Sequence, residues 1–79
     1  MKFTNIEQVN DFLAAVDKAQ GNVYLVSYNG DRYNLKSKLS QYISIGALLS
    51  EQGDELELYC DLKEDEGYFL NFLFSHPEV

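Results

Sequence analysis

The sequence predicts a small α+β domain, a two-layer open-faced β-sandwich in which helices cover one face of a mainly antiparallel sheet. An Asn29-Gly30 pair separates two runs of β-prone residues, and Asn-Gly is the strongest short-range signal for a β-hairpin. Apolar residues recur with helical spacing before that hairpin and with strand spacing after it. The predicted order of elements is β-α-β-β-α-β-α, in a single domain over residues 1–79.

The first predicted elements are a short edge strand over residues 1–5 and a helix over residues 6–19. Thr4 or Asn5 is suited to cap the N-terminus of the helix, because both side chains accept hydrogen bonds from free backbone N–H groups. Gly21 is expected to end the helix in the left-handed conformation. The apolar face of this helix consists of Ile6, Val9, Phe12, Leu13 and Val16.

The predicted hairpin consists of two strands over residues 22–28 and 31–36, joined by a type I′ turn at Asn29-Gly30. A type I′ turn requires positive φ at both central residues, and asparagine and glycine tolerate this best. Side chains of the first strand point alternately to two faces, and both faces carry apolar groups. This pattern is typical of a strand inside a sheet.

A second, shorter helix is predicted after the hairpin. Ser37 is a suitable N-cap, and the helix is expected to end near Gly46. Three apolar residues fall on one side of it with helical spacing: Leu39, Tyr42 and Ile43.

The last part of the chain predicts a strand and a final helix. Residues 54–62 alternate between apolar and polar side chains, which places Cys60 on the core side as a small buried residue. Acidic residues 64–66 suit the positive end of the following helix dipole. Pro77 is expected to end that helix, with His76 exposed in the tail.

The charge distribution excludes several classes of partner. The net charge is −7, and residues 41–79 contain nine acidic residues against one lysine. Nucleic acids and membrane surfaces are therefore poor partners, because both are negatively charged. Two interpretations of the acidic half stay open: it keeps a small protein soluble, or it binds a partner with a basic patch.

Cysteine content and hydropathy set further bounds. Cys60 is the single cysteine, which excludes an internal disulfide and a cysteine zinc site, and the residue pattern predicts no metal or cofactor. The sequence has no apolar run long enough to cross a membrane and no apolar signal core behind its N-terminus. A cytoplasmic location is therefore expected.

Several short features follow one another in a characteristic order. They are Phe12, Gly21, Asn29-Gly30, Lys36-Ser37, Ile45-Gly46, Gln52-Gly53, the strand Glu55–Leu58 and the acidic turn Glu64–Glu66. Their order and spacing resemble those of the HPr family, the small phosphocarriers of the bacterial sugar phosphotransferase system. The resemblance covers nearly the whole chain and implies an open-faced β-sandwich.

The resemblance also implies a role for the start of the first helix. The family carries there a histidine that accepts phosphate, followed after one residue by arginine and then by proline. Asn5, Glu7 and Gln8 occupy those positions in this sequence. Asparagine lacks a basic ring nitrogen, and the Glu7 carboxylate repels a phosphoryl group. We therefore expect no phosphoryl transfer by the family's chemistry and no enzyme activity.

A second family feature is a serine at the start of the second helix. In some members a kinase phosphorylates it, and the modified protein binds a transcriptional regulator. Ser37 occupies this position and follows Lys36. Free N–H groups and the helix dipole favour a phosphate at a helix N-terminus, so Ser37 is a candidate regulatory site. An unmodified N-cap serine is the simpler interpretation.

Together these observations predict a non-catalytic HPr-like regulatory or adaptor protein that acts by contact with an unidentified protein partner. The alternatives are an atypical phosphocarrier and a structural or oligomerising domain, and the chain is expected to be a monomer or a homodimer. The predicted contact surface combines the N-terminal ends of the first two helices. It consists of Asn5, Glu7, Gln8, Ser37, Lys38, Gln41, Ile43 and Ala47.

Overall fold

A computed structural model of the chain describes residues 3–27, 29–49 and 56–79. Within these ranges it contains three α-helices, three strands of one antiparallel sheet and a short 3₁₀ turn at Lys63–Asp65. The elements in chain order are helix α1 (Ile6–Lys18), strands β1 (Val23–Val26) and β2 (Arg32–Asn34), helix α2 (Lys38–Leu48), strand β3 (Glu57–Cys60) and helix α3 (Glu66–Ser75). The predicted α+β class is confirmed.

Strand β1 lies at the centre of the sheet, in the order β2-β1-β3. Leu25 of β1 is paired with Tyr33 on one side and with Leu58 on the other. The side chains of Val23 and Leu25 are fully buried. Because neighbouring residues in register share a face, the apolar face of all three strands forms the floor of the core.

The β1–β2 hairpin is at the predicted position, but its turn differs from the predicted one. The backbone N–H of Ser27 donates to the Asp31 carbonyl oxygen at 2.8 Å, which leaves three residues in the connection. Gly30 has φ of 89°, and no other described residue has positive φ. The type I′ prediction is therefore wrong, because a three-residue loop needs only one left-handed residue and places glycine there.

The predicted edge strand over residues 1–5 is also wrong for the part that the structure describes. Phe3 belongs to no strand; its ring is buried, and its backbone N–H donates to the Leu48 carbonyl oxygen at 3.4 Å. Residues 1 and 2 lie outside the described residues. The Phe3 ring packs instead against Phe12 of α1 and Phe72 of α3, where it is buried.

Helix α2 is longer than predicted and runs through Gly46 to Leu48. Leu48 is fully buried, so continuation of the helix brings a large apolar side chain into the core. That gain exceeds the roughly 1 kcal/mol that a glycine costs inside a helix. Strand β3 is confirmed at Glu57–Cys60, within the predicted residues 54–62, of which residues 54 and 55 lie outside the described ranges.

A buried carboxylate joins the end of α1 to the start of α3. Asp65 accepts hydrogen bonds from the backbone N–H groups of Gln20 at 3.1 Å and Gly21 at 2.9 Å. Gly21 does not have positive φ, so the predicted left-handed helix end is wrong. Glycine fits closely there, because an added Cβ would lie 2.7 Å from Cγ of Leu62 and would displace that side chain.

Four phenylalanine rings form the centre of the core between α1 and α3. The centroid of the Phe12 ring lies 5.4 Å from that of Phe3, 5.7 Å from that of Phe69 and 5.6 Å from that of Phe72. These spacings are typical of favourable aromatic pairs. Phe12 therefore contacts every other ring of this cluster.

We expect Phe12→Ala to lower the free energy of unfolding by about 3–5 kcal/mol, because it leaves a cavity among three rings. The matched control is Phe74→Ala, since Phe74 is 81% exposed at the end of α3. The control should change stability by less than about 0.5 kcal/mol. Urea denaturation followed by circular dichroism measures both, and equal losses would contradict this account of the core.

Candidate functional site

Helix α2 presents three large apolar or aromatic side chains to solvent. Leu39 is 71% exposed, Tyr42 75% and Ile43 54%, and the three lie within two turns of one side of the helix. Ser44, on the opposite side, is fully buried. We call Leu39, Tyr42 and Ile43 the α2 stripe. An amphipathic helix normally buries such a stripe, so its exposure here requires a structural reason.

One side-chain hydrogen bond and buried side chains orient α2 against the rest of the fold. The side-chain amide of Gln41 donates to the Leu35 carbonyl oxygen at 2.6 Å, and the buried hydroxyl of Ser44 is satisfied within the helix by the Gln41 carbonyl oxygen at 2.9 Å. Leu48 is buried on the same side, and Ile45 packs partly against the core. On this inner side of α2 the polar groups are hydrogen-bonded and the apolar side chains pack in the core. The α2 stripe is on the other side and therefore faces solvent.

Ser37 is the N-cap of α2, but its hydroxyl makes no capping hydrogen bond. Its carbonyl oxygen accepts from the backbone N–H of Gln41 at 2.9 Å, which begins the helix. The residue is exposed, as is Lys38 beside it. The hydroxyl therefore lies in solvent next to free N–H groups of the first helical turn, where a phosphate would be stabilised.

Lys36 has a structural role that the sequence did not reveal. Its ammonium group donates to the Val16 carbonyl oxygen at 2.8 Å and also to the carbonyl oxygen of Ala19. Positive charge at the C-terminal end of a helix stabilises the exposed carbonyl groups there. Lys36 therefore caps α1, and its charge is engaged there rather than at Ser37.

The start of α1 is built as predicted for a helix cap. The side-chain oxygen of Asn5 accepts from the backbone N–H of Gln8 at 2.9 Å, which confirms Asn5 as the N-cap. Gln8 is only 5% exposed; its side chain accepts from the Thr4 N–H at 2.7 Å and donates to the Glu78 carboxylate at 3.0 Å. Gln8 therefore stabilises the N-terminal region, whereas Glu7 is exposed in the first turn.

The structure does not bring the eight predicted contact residues into one cluster. Lys36 holds the start of α2 against the C-terminal end of α1, and the Phe3–Leu48 hydrogen bond holds the end of α2 near the start of α1. The two helices therefore run in opposite directions along each other. Asn5 and Ser37 lie toward opposite ends of α1, because the helix of 13 residues is about 20 Å long.

Of the remaining predicted contact residues, Ile43 belongs to the α2 stripe and is exposed. Gln41 is engaged with Leu35, and Ala47 is partly buried against the core. Leu39 and Tyr42 are absent from the predicted surface, although the sequence placed them on one side with Ile43. Helical spacing predicts that the three residues share a side. Ser44 is buried on the opposite side, so the side with Leu39, Tyr42 and Ile43 faces solvent.

His76 is not the exposed tail residue that the sequence predicts. One ring nitrogen lies 3.0 Å from the Asp11 carboxylate, and the other lies 3.2 Å from the Phe72 carbonyl oxygen. The ring also stacks on Phe72 with 4.6 Å between centroids. His76 and Asp11 both line an open groove of about 430 Å³ between α1 and α3. Asp11 is in the second turn of α1, so the contact ties the C-terminal tail to that helix.

Cys60 is a free thiol, half-buried beside the core. Burial raises the pKa of this thiol above its ordinary value, and the nearby carboxylates of Asp65, Glu66 and Asp61 raise the pKa further. The predicted place on the core side is confirmed, although burial is partial. The neutral thiol is a poor nucleophile and a poor metal ligand.

No family model matches the sequence, and no curated protein or solved structure is significantly similar to it. The relation to the HPr family stays a prediction. Across residues 3–27, 29–49 and 56–79 no helix has the length and hydropathy to cross a membrane, and no cluster of metal-ligating side chains occurs in the same ranges.

We expect Ser37→Ala to lower the free energy of unfolding by less than about 0.5 kcal/mol, because the hydroxyl makes no capping hydrogen bond. Asn5→Ala is the matched control and should cost about 1 kcal/mol, since Asn5 does cap its helix. Ser37→Asp should instead add about 0.3–1 kcal/mol at low salt through the helix dipole. Thermal unfolding of the three variants measures these values, and a loss of about 1 kcal/mol in Ser37→Ala would contradict the free hydroxyl.

We expect alkylation of Cys60 by iodoacetamide to have a pH midpoint above that of the urea-unfolded protein, because only the thiolate reacts and the folded state raises the thiol pKa. Glu66→Gln should lower the midpoint by removing one carboxylate near the sulfur. Asp31→Asn, in the hairpin at the other side of the sheet, is the control and should leave it unchanged. Identical midpoints in folded and unfolded protein would contradict the argument.

Proposed function

We propose that this chain is a non-catalytic regulatory or adaptor domain that binds a protein partner through the α2 stripe. The observation that carries the proposal is the exposure of Leu39, Tyr42 and Ile43 on one side of a helix whose opposite side is buried at Ser44 and Leu48. Contiguous exposed apolar side chains on a small protein are typical of an interaction site. Tyrosine is enriched among the residues that dominate binding energy.

The energy available from the α2 stripe is sufficient for a specific contact. Complete burial of a leucine or isoleucine side chain contributes about 1.5–3 kcal/mol. A partner that covers all three side chains therefore gains several kcal/mol from apolar surface alone. A flat or concave apolar surface on the partner suits a single helical turn of this kind better than a charged groove.

We further propose that phosphorylation of Ser37 regulates this contact. The serine is two residues before Leu39, so a phosphate on its hydroxyl would lie at the edge of the α2 stripe. The free hydroxyl, the first turn of α2 and the exposed Lys38 support a phosphate at this position. The resemblance to the HPr family supports the same proposal, because the family implies a regulatory serine at the start of this helix.

Affinity capture from a host extract tests the contact. We expect a defined protein to be retained by the wild type and lost with Tyr42→Asp and with Ile43→Asp, because a carboxylate cannot be buried in an apolar interface without a large penalty. The matched control is Phe74→Asp, which changes an equally exposed aromatic residue on α3. The captured protein should then bind the purified wild type in titration calorimetry and bind Ser37→Asp with altered affinity.

Two outcomes would contradict the proposal. Retention of the same protein by Tyr42→Asp, Ile43→Asp and the wild type would show that the α2 stripe is not the contact surface. Loss of the captured protein with Phe74→Asp alone would show that the contact surface is on α3. Light scattering of the purified protein tests whether the α2 stripe joins two copies of the chain. A dimer that Tyr42→Asp converts to a monomer would show that it does.

A further inference from the structure

Among the described residues, the outer edge of β3 has no strand beside it. Within the described part of the chain, β3 pairs only with β1. The backbone N–H of Asp61 donates to the Asn22 carbonyl oxygen at 3.0 Å, so residue 61 directs its backbone groups toward β1. Backbone direction alternates along an antiparallel strand. The N–H and C=O groups of Leu58 and Cys60 therefore point outward, away from β1.

An apolar groove lies beside this open edge. It has a volume of about 320 Å³ and is bounded by β3 on one side and α3 on the other. The side chains that line it are Leu58, Tyr59, Cys60, Glu66, Phe69, Leu70 and Leu73. Leu70 is 54% exposed, so the groove is not covered within the described part of the chain. We call this feature, with the outward backbone of Leu58 and Cys60, the β3-edge groove.

Negative charge surrounds the β3-edge groove. Glu57 and Asp61 flank the two outward-facing residues, and Glu66 lines the groove. Residues 56–79 contain six acidic residues and a single lysine, Lys63. The surface is therefore apolar at its centre and anionic at its rim.

We propose that the β3-edge groove binds an extended basic segment of another protein, which adds to the sheet as a fourth strand. Strand addition at an exposed sheet edge supplies main-chain hydrogen bonds, and alternate side chains enter the adjacent groove. Cationic residues on the segment complement Glu57, Asp61 and Glu66. A second copy of this chain is disfavoured, because two β3 strands would bring like charges together and each copy carries a net charge of −7.

The geometry specifies the side-chain pattern of the segment. Residues opposite Leu58 and Cys60 share their face and enter the groove, so these two positions should be apolar. Residues opposite Glu57 and Asp61 lie on the other face and should be basic. The residue opposite Tyr59 lies between them and only needs to favour a strand. A five-residue segment Lys-Val-Thr-Val-Lys satisfies this pattern.

Titration of the full chain with an acetylated and amidated Lys-Val-Thr-Val-Lys peptide tests the proposal by NMR. We expect amide shifts at Leu58, Cys60, Leu70 and Leu73, with the α2 stripe unchanged. The peptide Glu-Val-Thr-Val-Glu should bind roughly tenfold more weakly, because it opposes two carboxylates with two more. N-methylation of both valines should weaken binding by a similar factor, since it removes the donors to the outward carbonyl groups.

A charge exchange gives the sharpest control. Glu57→Lys should weaken binding of the lysine peptide and strengthen binding of the glutamate peptide. The control, Asp31→Lys, changes the net charge by the same amount at the distant hairpin. It should change the affinity for either peptide by no more than a small salt effect. Tyr42→Asp should leave the peptide affinity intact, which separates this proposal from the contact of the α2 stripe.

Three results would overturn the proposal: shifts confined to α2, equal affinity for the N-methylated peptide, or an unchanged preference in Glu57→Lys. Amide shifts at Leu58 and Cys60 that depend on protein concentration without peptide would show that a second copy occupies the edge, and would overturn it as well.

Discussion

Packing of the Phe12 ring against the rings of Phe3, Phe69 and Phe72 is the interaction on which the rest of this structure depends. A chain of 79 residues buries only about 60% of the surface its unfolded chain exposes, so few side chains can be fully enclosed. The four rings occupy the space between α1 and α3, and Phe3, which precedes α1, packs there against Phe12 and Phe72. Once α3 is held by this cluster, its outward side forms one wall of the β3-edge groove.

The same limit on core size explains why apolar side chains remain outside. Aromatic rings, the apolar face of β1, Leu35 and Leu48 fill the interior. Helix α2 therefore contributes Leu48 and a few partly buried neighbours, and its inner side is completed by polar groups with satisfied hydrogen bonds. Leu39, Tyr42 and Ile43 exceed what this small core can enclose, and they become the surface that a partner can cover.

Local patterns predicted local structure well. Helix α1 begins at its predicted cap, because the Asn5 side chain and the apolar face of the helix act within one or two turns. The hairpin lies where Asn29-Gly30 placed it, but its turn type depends on loop length, which the dipeptide does not set. Asp65 resembled a solvated helix-start acid in the sequence, and its burial arises from the distant backbone of Gln20 and Gly21.

The candidate surfaces were less predictable, since they depend on how elements are oriented relative to one another. Periodicity placed Leu39, Tyr42 and Ile43 together, but the Gln41–Leu35 hydrogen bond and the burial of Ser44 and Leu48 show that they face outward. Lys36, which in the sequence is a neighbour of Ser37, reaches the end of α1 and sets the two helices in opposite directions. The Lys36 contact joins residues that are distant in the sequence, so local patterns do not reveal it. For this reason the sequence predicted one surface for Asn5 and Ser37.

The two proposed surfaces lie on opposite sides of the central strand. Helix α2 packs on β2 at one edge of the sheet, and the β3-edge groove lies at the other edge. Their chemistry also differs, because the α2 stripe is neutral and apolar, whereas Glu66 lines the groove and Glu57 and Asp61 lie beside it on β3 and directly after it. An apolar partner and a basic extended segment would therefore not compete for the same atoms. This separation is what an adaptor requires, since a regulatory change at Ser37 would alter one contact and leave the other in place.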